Sequence, residues 1–138
     1  MPVSQLGAQT SKGFKVFTAN GSFTPSFTGT VYVTMIGGGQ CGGSISTQAG
    51  NSGYFHYKEA VAVTQGVPQT VTVGTGGSGT PLQNGTHSVF GALSTSTGYS
   101  IAAVAAMPGA ASAFFEPFGR GGDGSTGAGK PGIVIVEW

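Results

Sequence analysis

The stretch that decides the fold is residues 30–35, which read Thr30-Val31-Tyr32-Val33-Thr34-Met35. In an extended chain Val31, Val33 and Met35 fall on one face, while the hydroxyl-bearing residues between them fall on the other. This is the two-residue period of a β-strand that buries one face and exposes the opposite one. The segment therefore predicts a sheet with an apolar side and a polar side.

Other segments on both sides of this one predict further strands. Residues 69–74 repeat the alternation, with valines on one face and threonines on the other. Residues 14–18 and 54–63 are rich in aromatic and β-branched side chains, which are typical of strands. The continuous apolar run in residues 132–138 predicts a strand covered on both faces. For residues 101–107 the apolar spacing leaves a strand or a single helical turn open.

Three short sequences predict turns between these strands. Gly66-Val67-Pro68 separates two strand-like segments and predicts that they form a hairpin. Asn20-Gly21 and Asn84-Gly85 are dipeptides that readily take positive φ, as tight hairpin turns require.

Long Gly-rich stretches, residues 37–53, 74–85 and 108–131, lie between the strands. Loops of this length in a small domain are usually functional or disordered.

These patterns predict an all-β fold, an antiparallel sandwich or jelly roll with long Gly-rich loops. The chain has 138 residues, which suits one domain. We expect residues 13–138 to form that domain and residues 1–12 to be an N-terminal arm or linker.

The composition excludes several classes of function. Only 7% of the residues are charged, against roughly 25% in ordinary soluble domains. A net charge of +1 provides no electrostatic footprint for nucleic acid or for an anionic membrane. No apolar run approaches the roughly 20 residues that span a bilayer, and no secretory segment opens the chain. So few charges favour burial in an oligomer or a rigid extracellular assembly. Cys41 is the single cysteine, so no intramolecular disulfide is expected.

Two glycine motifs resemble nucleotide-binding loops but lack the required context. Residues 124–130 match the start of a P-loop, yet Pro131 replaces the Ser or Thr that holds magnesium, and an apolar strand follows instead of a helix. Residues 74–79 fit G-x-G-x-x-G, but turn chemistry follows them. The four carboxylates are not paired along the sequence. We therefore predict no catalytic residue, no metal site and no cofactor, and a protein that is not an enzyme.

Aromatic side chains near the loops are the candidates for binding. Aromatic rings contact sugars and anchor protein interfaces, and arginine adds bidentate donors. The predicted contact residues are Tyr54, His56, Phe114, Phe115, Phe118 and Arg120. The alternative is that alternate members of each cluster belong to the core or to a subunit interface, and for Phe55 and Tyr57 this alternative is favoured.

The Gly-rich and strand-like motifs of the chain form an ordered series: residues 31–39, Ser52-Gly53-Tyr54, residues 62–77, Ser88-Val89-Phe90-Gly91 and residues 129–138. This series resembles the glycine-rich domain at the ends of bacteriophage tail fibre and virion proteins. The resemblance covers roughly residues 14–138. Side chains interrupt the Gly runs at Gln40, Cys41, Gln48, Asn51 and Thr75. For this reason packed polyglycine helices, which occur in some phage adhesins, are not expected here.

The resemblance implies a tail fibre tip or receptor-binding domain that mediates attachment to the host cell surface through its Gly-rich loops. The implied partners are a host surface polysaccharide or an outer-membrane protein, together with other virion proteins. It also implies a homotrimer on the virion, at the tail fibre or particle surface, after synthesis in the host cytoplasm. The alternative is a structural virion decoration or spike protein without receptor binding.

Overall fold

A computed structural model describes residues 12–43, 50–79, 82–97, 118–122 and 127–138. Within these ranges the chain forms eight strands and one turn of 3-10 helix. They are β1 (Phe14–Phe17), β2 (Gly21–Phe23), β3 (Gly29–Ile36), β4 (Phe55–Val63), β5 (Gln69–Thr72), β6 (Val89–Phe90), β7 (Leu93–Ser94), the turn Thr95–Thr97 and β8 (Ile133–Glu137). No α-helix occurs in the described ranges, and the predicted all-β class is confirmed.

The strands form two antiparallel sheets that share one core. The first sheet has the order β1-β8-β3-β4 and the second has the order β2-β5-β6-β7. Apolar side chains from both sheets pack together between them. This cluster contains Phe17, Phe23, Val31, Val33, Met35, Val63, Val71, Val73, Phe90, Val134 and Val136. The predicted sandwich is therefore present, and burial of these side chains is the main force that holds its two layers together.

The strand that decides the fold follows its predicted alternation up to Val33, whereas Thr34, predicted on the polar face, is buried. Val31, Val33 and Met35 are fully buried in the core, whereas Tyr32 is 48% exposed on the outer face. The C-terminal strand β8 lies in the interior of the first sheet, between β1 and β3. Its inner side chains are buried, but Ile135 and Glu137 are only half-buried on the outer face. Coverage of β8 on both faces is thus only partial.

Two of the predicted hairpins are wrong, because the chain crosses between sheets at those points. Residues 66–68 connect β4 of the first sheet to β5 of the second, so these two strands do not pair. Asn20-Gly21 likewise leads from β1 to β2, which lie in different sheets. Neither of these two residues has positive φ. Instead, the Asn20 side-chain oxygen accepts a hydrogen bond of 2.8 Å from the Val73 N–H.

A β-bulge in β4 changes which of its side chains face the core. The register with β3 shifts between Val33 and Met35, and Lys58 has a φ of 49° in this region. A bulge inserts one extra residue and reverses the alternation beyond it. Tyr57 is consequently 64% exposed, so it does not belong to the core of this chain, and its place at a subunit interface stays a prediction.

Two predicted segments lie outside the described ranges: residues 101–107, predicted as a strand or a single helical turn, and residues 1–11 of the predicted N-terminal arm. Within the described part of the chain, no helix has the length and apolar character needed to cross a membrane.

Candidate functional site

At one end of the sandwich, the strands of both sheets continue into a bundle of extended Gly-rich segments, which we call the glycine lattice. It consists of residues 37–43, 50–54, 74–79, 82–88, 118–122 and 127–132. The first of these segments follows β3, the second leads into β4 and the last leads into β8. Because neighbouring strands are antiparallel, all of these continuations emerge at the same end.

The lattice is held together by backbone hydrogen bonds with a three-residue period. The N–H groups of residues 37–39 donate to three different neighbouring segments, and those of residues 40–42 repeat the order. In the first triplet, Gly37 donates to the Tyr54 carbonyl, Gly38 to that of Thr86 and Gly39 to that of Lys130, at 2.8, 2.9 and 2.9 Å. In the second triplet, Gln40 donates to Asn51, Cys41 to Gln83 and Gly42 to Gly127, at 2.9, 2.9 and 2.8 Å.

This period identifies the segments as packed helices of the polyproline II type. Such a helix has three residues per turn and no internal hydrogen bonds, so its N–H groups point outward to neighbours. Each acceptor in the second triplet lies three residues before its counterpart in the first, so those three partner segments run antiparallel to residues 37–42. The expectation that packed polyglycine helices are absent is therefore wrong.

Glycine is required where the segments touch. A Cβ on Gly38 would overlap the carbonyl oxygen of Thr75, and one on Gly76 would overlap that of Gly129. A three-residue period leaves some positions at the lattice surface, and this accommodates two of the interrupting side chains: Thr75 is exposed and Gln40 is half-buried. Cys41 is instead fully buried. Asn84-Gly85, predicted as a tight turn, is part of the lattice, and neither residue has positive φ.

A cleft of about 300 Å³ opens on the lattice surface between residues 50–54 and 82–88. Its floor is the segment that follows β3. The lining residues are Gly37, Gly38, Gln40, Asn51, Ser52, Gly53, Tyr54, Asn84, Gly85, Thr86 and His87. None of these described lining residues is Asp, Glu, Lys or Arg, so the cleft presents amides, hydroxyls and two rings.

The two rings lie on opposite walls of the cleft and approach each other. The centroids of Tyr54 and His87 are 6.3 Å apart, and their planes differ by 25°. This separation lies within the range of offset aromatic pairs. Tyr54 is 42% exposed and His87 is also exposed, so both rings are accessible.

The Gln40 side chain connects the two walls. Its Nε2 donates to the Leu82 carbonyl at 3.0 Å and to Asn84 Oδ1 at 2.9 Å. Its Oε1 accepts from the Asn51 N–H at 3.2 Å. These bonds fix the cleft width, because Gln40 belongs to the floor and each partner belongs to a wall.

Three polar groups of the cleft have no hydrogen-bond partner among the described residues. They are the Asn51 carboxamide, the Asn84 Nδ2 amino group and the buried Ser52 hydroxyl. The Ser52 hydroxyl is buried, and buried polar groups are normally paired. The Asn51 side chain is half-buried and that of Asn84 is exposed, so both amides can reach a ligand. The cleft therefore offers unused donors and acceptors to a ligand.

The structure distributes the predicted contact residues over different environments. Tyr54 lies in the cleft. Phe118 and Arg120 are half-buried in the lattice segment 118–122, which does not line the cleft. Phe114 and Phe115 lie outside the described residues. His56 is 7% exposed, so its ring offers no contact surface.

His56 packs inside the protein because it precedes the β4 bulge. Its Nε2 donates to the Ser94 carbonyl at 3.0 Å, which ties β4 of the first sheet to β7 of the second. Its Nδ1 lies 3.6 Å from a carboxylate oxygen of Glu59. The two contacts give His56 a structural role between the layers.

Comparison of the two histidines tests this assignment. We expect His56→Ala to lower the free energy of unfolding by about 2 kcal/mol, because it leaves a cavity and removes the bond between sheets. His87→Ala, which removes an exposed ring, should change it by less than about 0.5 kcal/mol. Chemical denaturation of the two variants measures the difference. Equal losses would contradict the structural role of His56.

The sequence interpretation missed most of the cleft. Gln40, Asn51, Asn84 and His87 appear in the sequence only as isolated polar residues near glycines. They come together because the three-residue period aligns segments that are far apart along the chain. In the sequence, the signal for these cleft residues is a polar side chain that interrupts a Gly run.

Among the described residues, no group of three or more His, Cys, Asp or Glu side chains could hold a metal ion. No family model, no curated protein and no solved structure matches this chain.

Proposed function

We propose that this chain is a receptor-binding domain at the tip of a bacteriophage tail fibre and attaches the particle to the host cell surface. The observation that carries the proposal is the uncharged cleft with two accessible rings, built on a lattice of backbone hydrogen bonds. The resemblance of the ordered motifs to phage tail fibre domains adds support. Together they favour recognition over catalysis.

The lattice suits recognition because it limits the entropy lost on binding. Side chains and loops that become ordered in a complex reduce its affinity, and preorganisation avoids this loss. Here the backbone beneath the cleft is already bonded to three neighbouring segments. The Gln40 side chain further fixes the positions of both walls.

The carboxylates of the described residues lie away from the cleft, beside basic side chains. Glu59 faces His56, and Glu137 lies 3.7 Å from the Lys58 ammonium group on the outer face of the first sheet. Neither lines the cleft. A hydrolytic reaction with a carboxylate acid and base would need such groups beside the substrate, so the cleft geometry supports binding.

A second candidate is a structural virion component without receptor binding. One observation favours it: Phe14 and Tyr32 are 69% and 48% exposed, and both are register neighbours of Glu137 on the first sheet. Val16, also exposed, pairs with Ile135 in the adjacent row. Exposed apolar side chains clustered on one sheet face, here on both sides of Glu137, are typical of protein contact surfaces. Such a face would suit packing against other virion proteins or within a homotrimer.

Cell binding separates the two candidates. We expect the fluorescently labelled full chain to bind saturably to some members of a panel of bacterial strains. Excess unlabelled chain should block adsorption of phage particles that carry it. Absence of binding to every strain would contradict the proposal. The structural candidate instead expects particles without this chain to adsorb normally and to lose thermal stability.

A further inference from the structure

We propose that the cleft between residues 50–54 and 82–88 binds one ring of a neutral, hydroxyl-rich sugar. The inference rests on the proposed function, which it deepens by naming the class of ligand and the place where it binds. Four features of the cleft carry it: size, charge, free polar groups and aromatic walls.

The size of the cleft suits a single sugar ring. Its volume is about 300 Å³, the lower end of the range of small-molecule sites. At roughly 30 Å³ per water molecule, this volume corresponds to about ten waters. A pyranose ring with its hydroxyl groups displaces water on that scale, whereas a folded protein surface would not enter.

The uncharged lining and the unpaired polar groups of the cleft favour a ligand with hydroxyl groups over an ionised ligand. No carboxylate, ammonium or guanidinium group is present among the described lining residues, so an ionised sugar would lose hydration without gaining a counter-charge. A sugar hydroxyl both donates and accepts. The Asn51 carboxamide can do the same, and the Asn84 Nδ2 group adds a donor.

The rings provide the apolar part of the site. A pyranose has C–H groups on its faces, which pack against aromatic rings while the hydroxyls around its edge form hydrogen bonds. Tyr54 and His87 offer two nearly parallel accessible rings beside the free amides. Rings with centroids 6.3 Å apart leave no room for a pyranose between them, so the site matches one face and the edge of a sugar.

The same cleft is poorly suited to an extended peptide. Peptides commonly bind by adding a strand to unpaired backbone groups. In the cleft floor, the Gly37 and Gly38 N–H groups already donate to Tyr54 and Thr86. The floor therefore offers no backbone donor at these two positions, and the side-chain amides of the walls favour a ligand rich in hydroxyls.

Direct binding measurements test the inference. The probes are methyl glycosides of neutral hexoses and N-acetylhexosamines, with glucuronic acid and sialic acid as charged comparisons. Saturation-transfer NMR and titration calorimetry use the full chain and its variants Tyr54→Ala and Asn84→Ala. Tyr57→Ala is the matched control, since Tyr57 is an exposed tyrosine of β4 that does not line the cleft.

We expect at least one neutral glycoside to bind, with at least tenfold weaker binding to Tyr54→Ala and Asn84→Ala and unchanged binding to Tyr57→Ala. Circular dichroism should show that all variants are folded. The inference is overturned if no neutral glycoside binds, if only the charged sugars bind, or if the folded cleft variants bind as well as the control does.

Cell experiments distinguish this inference from the proposed function. If the chain binds bacteria equally well before and after periodate oxidation of cell-surface diols, and loses binding after protease treatment, the sugar inference fails while attachment stands. If neutral glycosides bind in the cleft but no strain is bound and adsorption is not blocked, attachment fails while the sugar site stands.

Discussion

Replacing Gly38 with alanine is expected to lower the free energy of unfolding by about 3 kcal/mol or more. The added Cβ would overlap the Thr75 carbonyl oxygen, which is backbone and has no rotamer by which to move away. The Gly38 N–H also donates to Thr86, so any shift of this segment weakens the bond. At roughly 4 °C per kcal/mol, the midpoint of thermal unfolding should fall by about 12 °C.

Two glycine variants separate the steric effect from other effects of alanine. Gly21→Ala places the new Cβ 3.4 Å from the Phe17 ring, an ordinary contact, and should be neutral or stabilising by up to about 1 kcal/mol. Gly66 has a φ of 75° but nothing within 4 Å of its Cβ position. Gly66→Ala should therefore lower the free energy of unfolding only by the backbone strain, about 1 to 2 kcal/mol.

Calorimetry of the three variants provides the comparison. The expected order of stability loss is Gly38→Ala, then Gly66→Ala, then Gly21→Ala. If Gly38→Ala unfolds within about 2 °C of the unmodified chain, the segments do not pack as closely as the lattice geometry requires.

The sandwich could be predicted from sequence because its signals are local. The alternation in β3 requires only that neighbouring side chains point in opposite directions. No local pattern in the sequence shows which of the two sheets a strand belongs to. Residues 66–68 carry a valid turn signal, but a turn sequence does not determine whether the chain returns to the same sheet or crosses to the other.

The glycine lattice could not be predicted because Gly runs carry no side-chain periodicity. Amphipathic patterns reveal helices and strands, whereas a polyproline II segment of glycines leaves only its hydrogen bonds as evidence. Gln40 and Asn51 were interpreted as interruptions for this reason. In the structure, these two residues occupy lattice positions that have room for a side chain, and both line the cleft.

One extra residue in β4 determines where the His56 side chain lies. The aromatic cluster in residues 54–57 predicts receptor contacts at Tyr54 and His56; Tyr54 lies in the cleft, whereas the His56 ring is buried. The bulge near Lys58 then leaves His56 buried and Tyr57 exposed. A bulge is determined by the packing of β3 against β4, so no local pattern in the sequence shows it.

Replacing Ser88 with alanine is the second change with a large expected effect. Ser88 is fully buried where the sheets join the lattice. Its Oγ donates to the Ile36 carbonyl at 2.7 Å and accepts from the Gly74 N–H at 2.9 Å. One hydroxyl thus connects the end of β3, in the first sheet, to the chain that follows β5 of the second.

Ser88→Ala removes both bonds and admits no water to replace them. Each buried backbone group left without a partner costs about 1 to 3 kcal/mol, so the free energy of unfolding should fall by about 2 to 5 kcal/mol in total. Ser22→Ala, at an exposed position of β2, is the matched control and should change stability by less than about 0.5 kcal/mol.

Hydrogen exchange gives a local measurement of the same effect. If the Ser88 hydroxyl holds the junction, the Gly74 amide should exchange faster in Ser88→Ala by a larger factor than amides in the centre of β3, such as that of Val33. A uniform acceleration at both sites would indicate only global destabilisation. Faster exchange confined to Gly74 would mean that the lattice loosens at this junction before the sandwich unfolds, although the Gly132 N–H still donates to the Gly74 carbonyl.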